Sequence, residues 1–287
     1  MKKNLLSLLT AGLLATAATA QDNSLLYEVT GNGLTQPSYL YGTFHLVCPN
    51  DLVITDATKK AVADTRQLYL ELDFDDPAMM KAMMKAMMMT DGKTVKDYLS
   101  ANDYSILENY FSEKLKMNPA QTSQMTPIAL TSMLYMTLLP CQMASYDLTF
   151  AQMAIKDKKD ILGLESLEAQ LAALNAIPVE EQLKGVVDTV KKPDEAKAEF
   201  AKFIETYKSQ DLEKLGAMMK TSQFSGGDFA KYEDDLLGKR NVNWIPVIEK
   251  AAKDKPTFFA FGAGHLIGDK GVIQLLRAKG YTVRGVK

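Results

Sequence analysis

The sequence predicts an α/β fold: a split βαβ-type repeat forming a mixed central sheet, with a large, mostly helical insertion between its two halves. Three observations predict it. Strand-like apolar runs cluster towards the two ends of the chain, and helical periodicity fills the middle. Each end also carries a Gly-x-x-His motif directly after a strand-like run. The shared order of strand, Gly-x-x-His, helix and strand is what a duplicated βαβ-like unit would leave.

Taken in order, the chain starts with an expected export signal over residues 1–20. Lys2 and Lys3 precede the uncharged run Leu5 to Leu14, and Ala18-Thr19-Ala20 supplies small residues at cleavage-site spacing, so cleavage is expected before Gln21. The apolar run is shorter than the ~20 residues that span a bilayer; an uncleaved anchor is the alternative. No cysteine follows it to carry a lipid, and no later segment is long and apolar enough to span. The mature chain, residues 21–287, is therefore expected as a single soluble domain in the periplasm or outside the cell.

The whole chain carries a net charge of −2, and losing Lys2 and Lys3 makes it more acidic. This argues against nucleic acid and leaves no basic patch for anionic lipid. Hydrophobic residues make up 47%, ample for a core of this size. The two cysteines, Cys48 and Cys141, would pair in an oxidising compartment. A thiolate at Cys48, three residues past His45, is the other reading.

Leu25 to Val29 reads as a strand, Gly31-Asn32-Gly33 as a turn, and Ser38 to Tyr41 as a second strand entering Gly42-Thr43-Phe44-His45. A short helix is expected from Thr55 to Asp64 with Thr55 as cap, then a buried strand from Gln67 to Asp73. Residues from about 76 to 253 read as the helical insertion. Within it, Asp194 to Tyr207 places Ala196, Phe200, Phe203, Ile204 and Tyr207 on one face, with Pro193 near its start. Asp211 caps a further helix, Lys159 to Glu165 looks like a lone strand, and Ser225-Gly226-Gly227 marks a loop. Near the end, Thr257 to Phe261 is a buried strand leading to Gly262-Ala263-Gly264-His265. Asp269 is expected to cap the next helix, Gly280 to end it, and Tyr281 to Val283 to form the last strand.

The chemistry centres on the histidines, because the whole complement of two occupies matching positions. Ligand sites in open α/β sheets lie beyond the carboxyl ends of the strands, where both would fall. Glu71 is the third candidate, since a carboxylate in so apolar a run needs a partner; a solvent-facing edge position is its alternative. Two imidazoles and a carboxylate suit zinc, manganese or iron, which would lower the pKa of a bound water to about 7. The metal-free version has a histidine as general base and Glu71 orienting it. Asp73 shares the face of Glu71 by strand alternation and is a candidate supporting group.

At these residues a family resemblance emerges. Tyr39-Leu40-Tyr41-Gly42-Thr43-Phe44-His45, Leu70-Glu71-Leu72-Asp73, Gly163-Leu164-Glu165-Ser166, Arg240-Asn241 followed by Trp244, and Phe261 to Leu266 with Gly271-Val272 downstream resemble the TraB/GumN family in its own order. That family is related to the TIKI metalloproteases and, more distantly, to erythromycin esterases and ChaN-like haem-binding proteins. The resemblance implies metal-dependent peptide hydrolysis at His45, Glu71 and His265, with Arg240 as the basic residue of the pattern. It implies a divalent transition metal (zinc, manganese or cobalt) and a peptide or small-molecule substrate.

Arg240 would bind a substrate carboxylate or an oxyanion, or else pair with Glu233-Asp234-Asp235 or serve at a helix start. Glu165 would reach the rim of the site, as metal contact or as a supporting partner, and Asp147 would serve as a structural or supporting group. Gly42 and Gly262 permit close backbone approach. In the run Met79 to Met89, Met79, Met83 and Met87 form one row and Met80, Met84 and Met88 its neighbour. Such a stripe suits packing or substrate contact, with Cu(I) binding as the less common use. No G-x-S-x-G elbow, P-loop or dinucleotide fingerprint occurs. Three functions stay open: an exported metal-dependent hydrolase, a metal-independent esterase-type hydrolase, and a non-enzymatic haem- or peptide-binding protein.

Overall fold

A computed structural model describes residues 23–222 and 229–287. The export signal and the Ser225-Gly226-Gly227 loop lie outside the described residues. Strands β1 (Leu26–Gly31) and β2 (Ser38–Thr43) form a hairpin, followed by α1 (Asp56–Asp64) and β3 (Gln67–Leu70). Helices α2 (Pro77–Ala86), α3 (Ala101–Leu115), α4 (Pro119–Gln124), α5 (Pro127–Leu138) and α6 (Tyr146–Lys156) lead to β4 (Asp160–Gly163). Then come α7 (Leu167–Leu174), α8 (Val179–Lys191), α9 (Pro193–Lys208), α10 (Leu212–Thr221), α11 (Phe229–Glu233) and α12 (Lys239–Asp254). The chain closes with β5 (Thr257–Gly262), α13 (Val272–Ala278) and β6 (Tyr281–Val286).

The strands form one six-stranded mixed sheet in the order β4-β3-β5-β2-β1-β6. Strands β4, β3, β5 and β2 run parallel, while β1 is antiparallel to both neighbours. The central β5 explains why its sequence is a continuous apolar run: Thr257 to Phe261 are all buried, as a parallel strand covered on both faces requires. Leu40, Leu68, Phe258, Phe259, Trp244, Ile248 and Leu276 belong to the core built on this sheet. A second apolar cluster joins α3, α5 and α8 through Leu107, Phe111, Leu130, Leu134, Leu183 and Val187.

Several local expectations meet the structure. Thr55 accepts from the Thr58 N–H and Asp211 from the Lys214 N–H, the caps read from the sequence. The five residues predicted to share one face of α9 are buried, and Gly280 takes the left-handed conformation (φ +88°) that ends α13. Asp269 is not the cap; α13 begins after Gly271, with no side-chain cap. The strand at Asp160–Gly163 is not alone but forms an edge of the central sheet. The two strand–helix–strand units are present in order, yet the sheet does not lay them down as like copies. One strand (β5) separates β2 from β3, whereas β2 and β1 separate β5 from β6.

The methionine run also differs from a packed stripe. Helix α2 buries no residue, and Met80, Met84, Met87 and Met88 are exposed. Among the described residues no helix is long and apolar enough to cross a membrane.

Candidate functional site

Parallel strands β3, β5 and β2 are neighbours, so their carboxyl ends come together at one edge of the sheet. Glu71 follows β3, Gly262 ends β5 with His265 in the 3-10 turn just beyond it, and Thr43 ends β2 two residues before His45. Both imidazoles face the same carboxylate oxygen: Nε2 of His45 is 3.9 Å and Nε2 of His265 3.8 Å from Glu71 Oε1. The structure thus brings His45, Glu71 and His265 together. Glu71 lies one residue past the strand, not within it, because β3 ends at Leu70.

Each imidazole is held through its other nitrogen. His265 Nδ1 lies 2.6 Å from Asn241 Oδ1. The Asn241 amide has no freedom to flip, since its Nδ2 donates to the carbonyls of His265 (3.3 Å) and Lys270 (2.8 Å). Nδ1 of His265 must then carry the hydrogen, which leaves a lone pair on Nε2. Burial, above all, pushes His265 down to about 3, with Glu71 opposing and Arg240 and His45 adding to the shift. It is neutral at neutral pH.

His45 is set the other way. Its Nδ1 lies 2.9 Å from Asp147 Oδ2, and Asp147 Oδ1 accepts from Thr43 Oγ1 at 3.0 Å. Crowding by protein works against its charge, but Asp147 and then Glu71 outweigh that, and the pKa is raised to about 9. The ring itself is 63% exposed, so His45 forms the open side of the site. Because the folded value lies above the ordinary one near 6.5, the pair's stabilisation is complete below that value and is lost as pH rises through about 9. Replacing Asp147 with asparagine is expected to return His45 to 6.5 or below, read by NMR titration of its ring protons. A value staying near 9 would contradict the assignment.

Arg240 is the hub of the buried half. Nη2 donates to Glu71 Oε2 (2.6 Å) and Glu165 Oε1 (2.5 Å), and Nε to both Glu165 oxygens at 3.0 and 3.2 Å. Nη1 donates to the Leu236 carbonyl (2.9 Å) and to His265 Nε2 (3.1 Å), so every N–H of the guanidinium is engaged. The acidic run Glu233-Asp234-Asp235 is not its partner; those residues pair with Lys220, Lys270 and Lys239. Glu165 lies two residues past β4 and also accepts from Trp244 Nε1 at 3.1 Å. It therefore supports Arg240.

Glu71 is held ionised, well below the usual carboxylate range. Burial opposes this, while His265, Arg240, His45 and the Gly262 N–H at 2.8 Å favour it. With His265 neutral, Arg240 is the buried cation that sustains the charge. Asp73 does not follow Glu71 into the site by alternation, since the strand has already ended. Its Oδ1 is buried without a hydrogen-bond partner among the described residues, and burial with Asp75 raises it to about 6.

Close approach demands glycine at Gly42, and at Gly262 the absent side chain leaves space among the candidate ligands. A Cβ on Gly42 would meet Leu266 Cδ1 at 2.6 Å, and one on Gly262 would meet Glu71 Oε1, His45 Nε2 and His265 Cδ2 at 3.3, 3.5 and 3.8 Å. Gly262 thereby keeps open a small cradle between the three candidate ligands. Two imidazole nitrogens and a carboxylate around it, each imidazole oriented through Nδ1, fit a divalent transition metal in kind. Yet among the described residues no three or more His, Cys, Asp or Glu are already drawn together as an ion cage. In this arrangement Arg240 donates to one Glu71 oxygen and to the His265 lone pair.

Cys48 and Cys141 form a disulfide, with Cα atoms 5.8 Å apart. Beside it, Val47 and Ala144 exchange backbone hydrogen bonds at 2.9 and 2.8 Å. Together these tie the loop after His45 to the segment before Asp147.

Three further residues contribute: Asn241 and Trp244, which the sequence shows only as part of the family-like motif with no role of their own, and Gln170, which it does not mark. Asn241 and Trp244 sit on the inward face of α12 with Arg240, a helical i, i+1, i+4 pattern that could have flagged them. The Trp244 ring stacks near both His265 (4.3 Å between centroids) and the Arg240 guanidinium (4.9 Å). Gln170 on α7 donates to Glu71 Oε2 at 3.0 Å, and no local pattern announces it.

Comparison with known proteins finds distant relatives over most of the chain. A Xenopus tropicalis protein named metalloprotease TIKI2 is 27% identical over 320 residues, covering 91% of this chain and 59% of that protein. Metalloprotease TIKI1 of Danio rerio is 25% identical (91% and 63%), and that of Homo sapiens 24% (91% and 61%). The chain thus spans about six-tenths of the length of these relatives. No solved structure matches. A profile described as the TraB/PrgY/gumN family matches residues 25–285, and the chain belongs to that family.

Proposed function

We propose that this chain is an exported hydrolase of peptide or related amide bonds that works with a divalent transition metal. One observation carries the reading: the Nε2 atoms of His45 and His265 converge on one oxygen of Glu71. The distant relatives named metalloproteases and the Cys48–Cys141 disulfide, typical of oxidising compartments, support it. His45, His265 and Glu71 would hold the ion, which when bound supplies Lewis acidity and an activated water.

The chain's own groups have separate tasks. Asn241 and Asp147 orient the imidazoles, and Gly262 leaves space between them. His45, on the open side, meets the substrate first. Arg240 lies within reach of charge developing beside Glu71, although its donors are committed to protein groups in this geometry.

A second reading has its own support. His45 and Asp147 form an oriented pair on the exposed side; with its pKa raised to about 9, His45 would serve without a metal as a general acid at neutral pH and as a general base only in alkaline solution. In that version the orienting carboxylate is Asp147, not Glu71.

One assay separates the two. Purified protein is incubated with a defined peptide mixture, and cleavage is read by mass spectrometry with added zinc, manganese or cobalt and after exhaustive chelation. We expect cleavage that requires an added ion and falls at least a hundredfold in His265→Ala. Cleavage surviving chelation would overturn the metal reading in favour of the His45–Asp147 pair.

A further inference from the structure

We infer that Arg240 guards the metal position: its hydrogen bond to His265 and an ion on His265 exclude each other, so metal enters only as that bond is released. The inference rests on the proposed metal reading and concerns how that site is controlled. The conflict is one of lone pairs. Asn241 fixes the hydrogen of His265 on Nδ1, so Nε2 has a single lone pair, and Arg240 Nη1 donates to it at 3.1 Å. A metal on Nε2 needs that same pair.

The guard is firmly set. The guanidinium is buried, anchored by Glu165 through Nε and Nη2 and by the Leu236 carbonyl through Nη1. Glu165 and Leu236 do not belong to the candidate ligand set, so both anchors can persist while the bond to His265 breaks. Because the guanidinium is a rigid plane, the bond to His265 is released by a small tilt of the whole group or of the imidazole, and Arg240 need not leave its pocket. The other two candidate ligands face no such exclusion: His45 is open to solvent, and Glu71 Oε1, which accepts the Gly262 N–H, has a second lone pair.

The chain carries a built-in reporter. Trp244 is the only tryptophan and lies against both His265 and Arg240. A change in the Arg240–His265 contact must alter its surroundings.

The test uses chelator-stripped full-length protein and zinc alone, which is not redox-active. Zinc affinity is measured by calorimetry for the wild type and for Arg240→Lys. Lysine keeps the positive charge near Glu71 and Glu165 but lacks the planar second arm that reaches His265. Charge repulsion is thus retained while the competing bond is removed. We expect Arg240→Lys to bind zinc about tenfold more tightly, the worth of one such hydrogen bond. In the wild type, zinc is expected to change Trp244 emission saturably, with the calorimetric midpoint.

Equal or weaker zinc binding by a folded Arg240→Lys would overturn the guard while leaving the metal reading intact. If the variant does not fold, the wild-type titration decides: zinc binding with no change in Trp244 emission overturns the guard. No zinc binding by either protein, or undiminished binding by His265→Ala, removes the metal reading and the guard with it.

Discussion

Replacing Arg240 with methionine is expected to destabilise the protein by about 3–5 kcal/mol, the usual loss when one partner of a buried ion pair is removed. The variant strands two carboxylates at once. Glu71 and Glu165 have side chains only 8% and 7% exposed, and Arg240 binds both. Gln170 and the Gly262 N–H would still serve Glu71, and Trp244 would still serve Glu165, but none carries charge. One or both carboxyls would take up a proton, and apparent stability would become steeply pH-dependent. Converting Glu165 to glutamine in the same chain should restore part of the loss, because one buried charge disappears. Urea unfolding followed by circular dichroism measures both variants. A loss below about 1 kcal/mol in Arg240→Met, the range of exposed pairs, would show that the cluster is far more hydrated than its burial implies.

Removing the disulfide by Cys48→Ser is expected to cost about 2–5 kcal/mol. The bridge closes a long loop, its ends 93 positions apart in sequence, so its loss frees much of the unfolded chain. Its position predicts a local effect as well. Cys48 is three residues past His45 and Cys141 six before Asp147, and the Val47–Ala144 pairing beside the bridge would be left to hold the two segments alone. The His45–Asp147 contact should loosen, and the raised pKa of His45 should fall from about 9 towards its ordinary value. Thermal melts with and without reductant, together with NMR titration of His45, read the two effects. Unchanged melting under reduction would refute the stabilising role. A His45 value still near 9 would confine the bridge to global stability.

How far the sequence revealed this site depends on the range of each interaction. The Gly-x-x-His motifs are local, four residues at a strand end, and both histidines stand where that reading puts them. Glu71 was legible as a charge in an apolar run, although the strand stops one residue before it. Beyond Leu70 the chain bends, and backbone bonds from the distant Leu164 and Glu165 to Leu70 and Glu71 continue the pairing outside the regular ladder. Alternation cannot place Asp73 relative to Glu71, since it has meaning only within a strand and β3 ends at Leu70.

The non-local features were not legible. That β5 lies between β2 and β3 depends on strand pairing across nearly two hundred residues, and only that insertion brings His265 beside Glu71. Gln170 reaches Glu71 through the packing of α7, which no spacing encodes. The choice for Arg240 between Glu233-Asp234-Asp235 and the site turned on which way α12 faces. The exposed methionines of α2 satisfy helical periodicity without being packed. Periodicity reports a shared face, not what covers it.

The most direct test of the central claim is anomalous diffraction from crystals grown with zinc or manganese, collected at the metal edge. A single strong peak bonded to His45 Nε2, His265 Nε2 and Glu71, with Arg240 Nη1 no longer donating to His265, is the predicted result. A fully occupied peak elsewhere, or no peak with the Arg240–His265 bond unchanged, would contradict it.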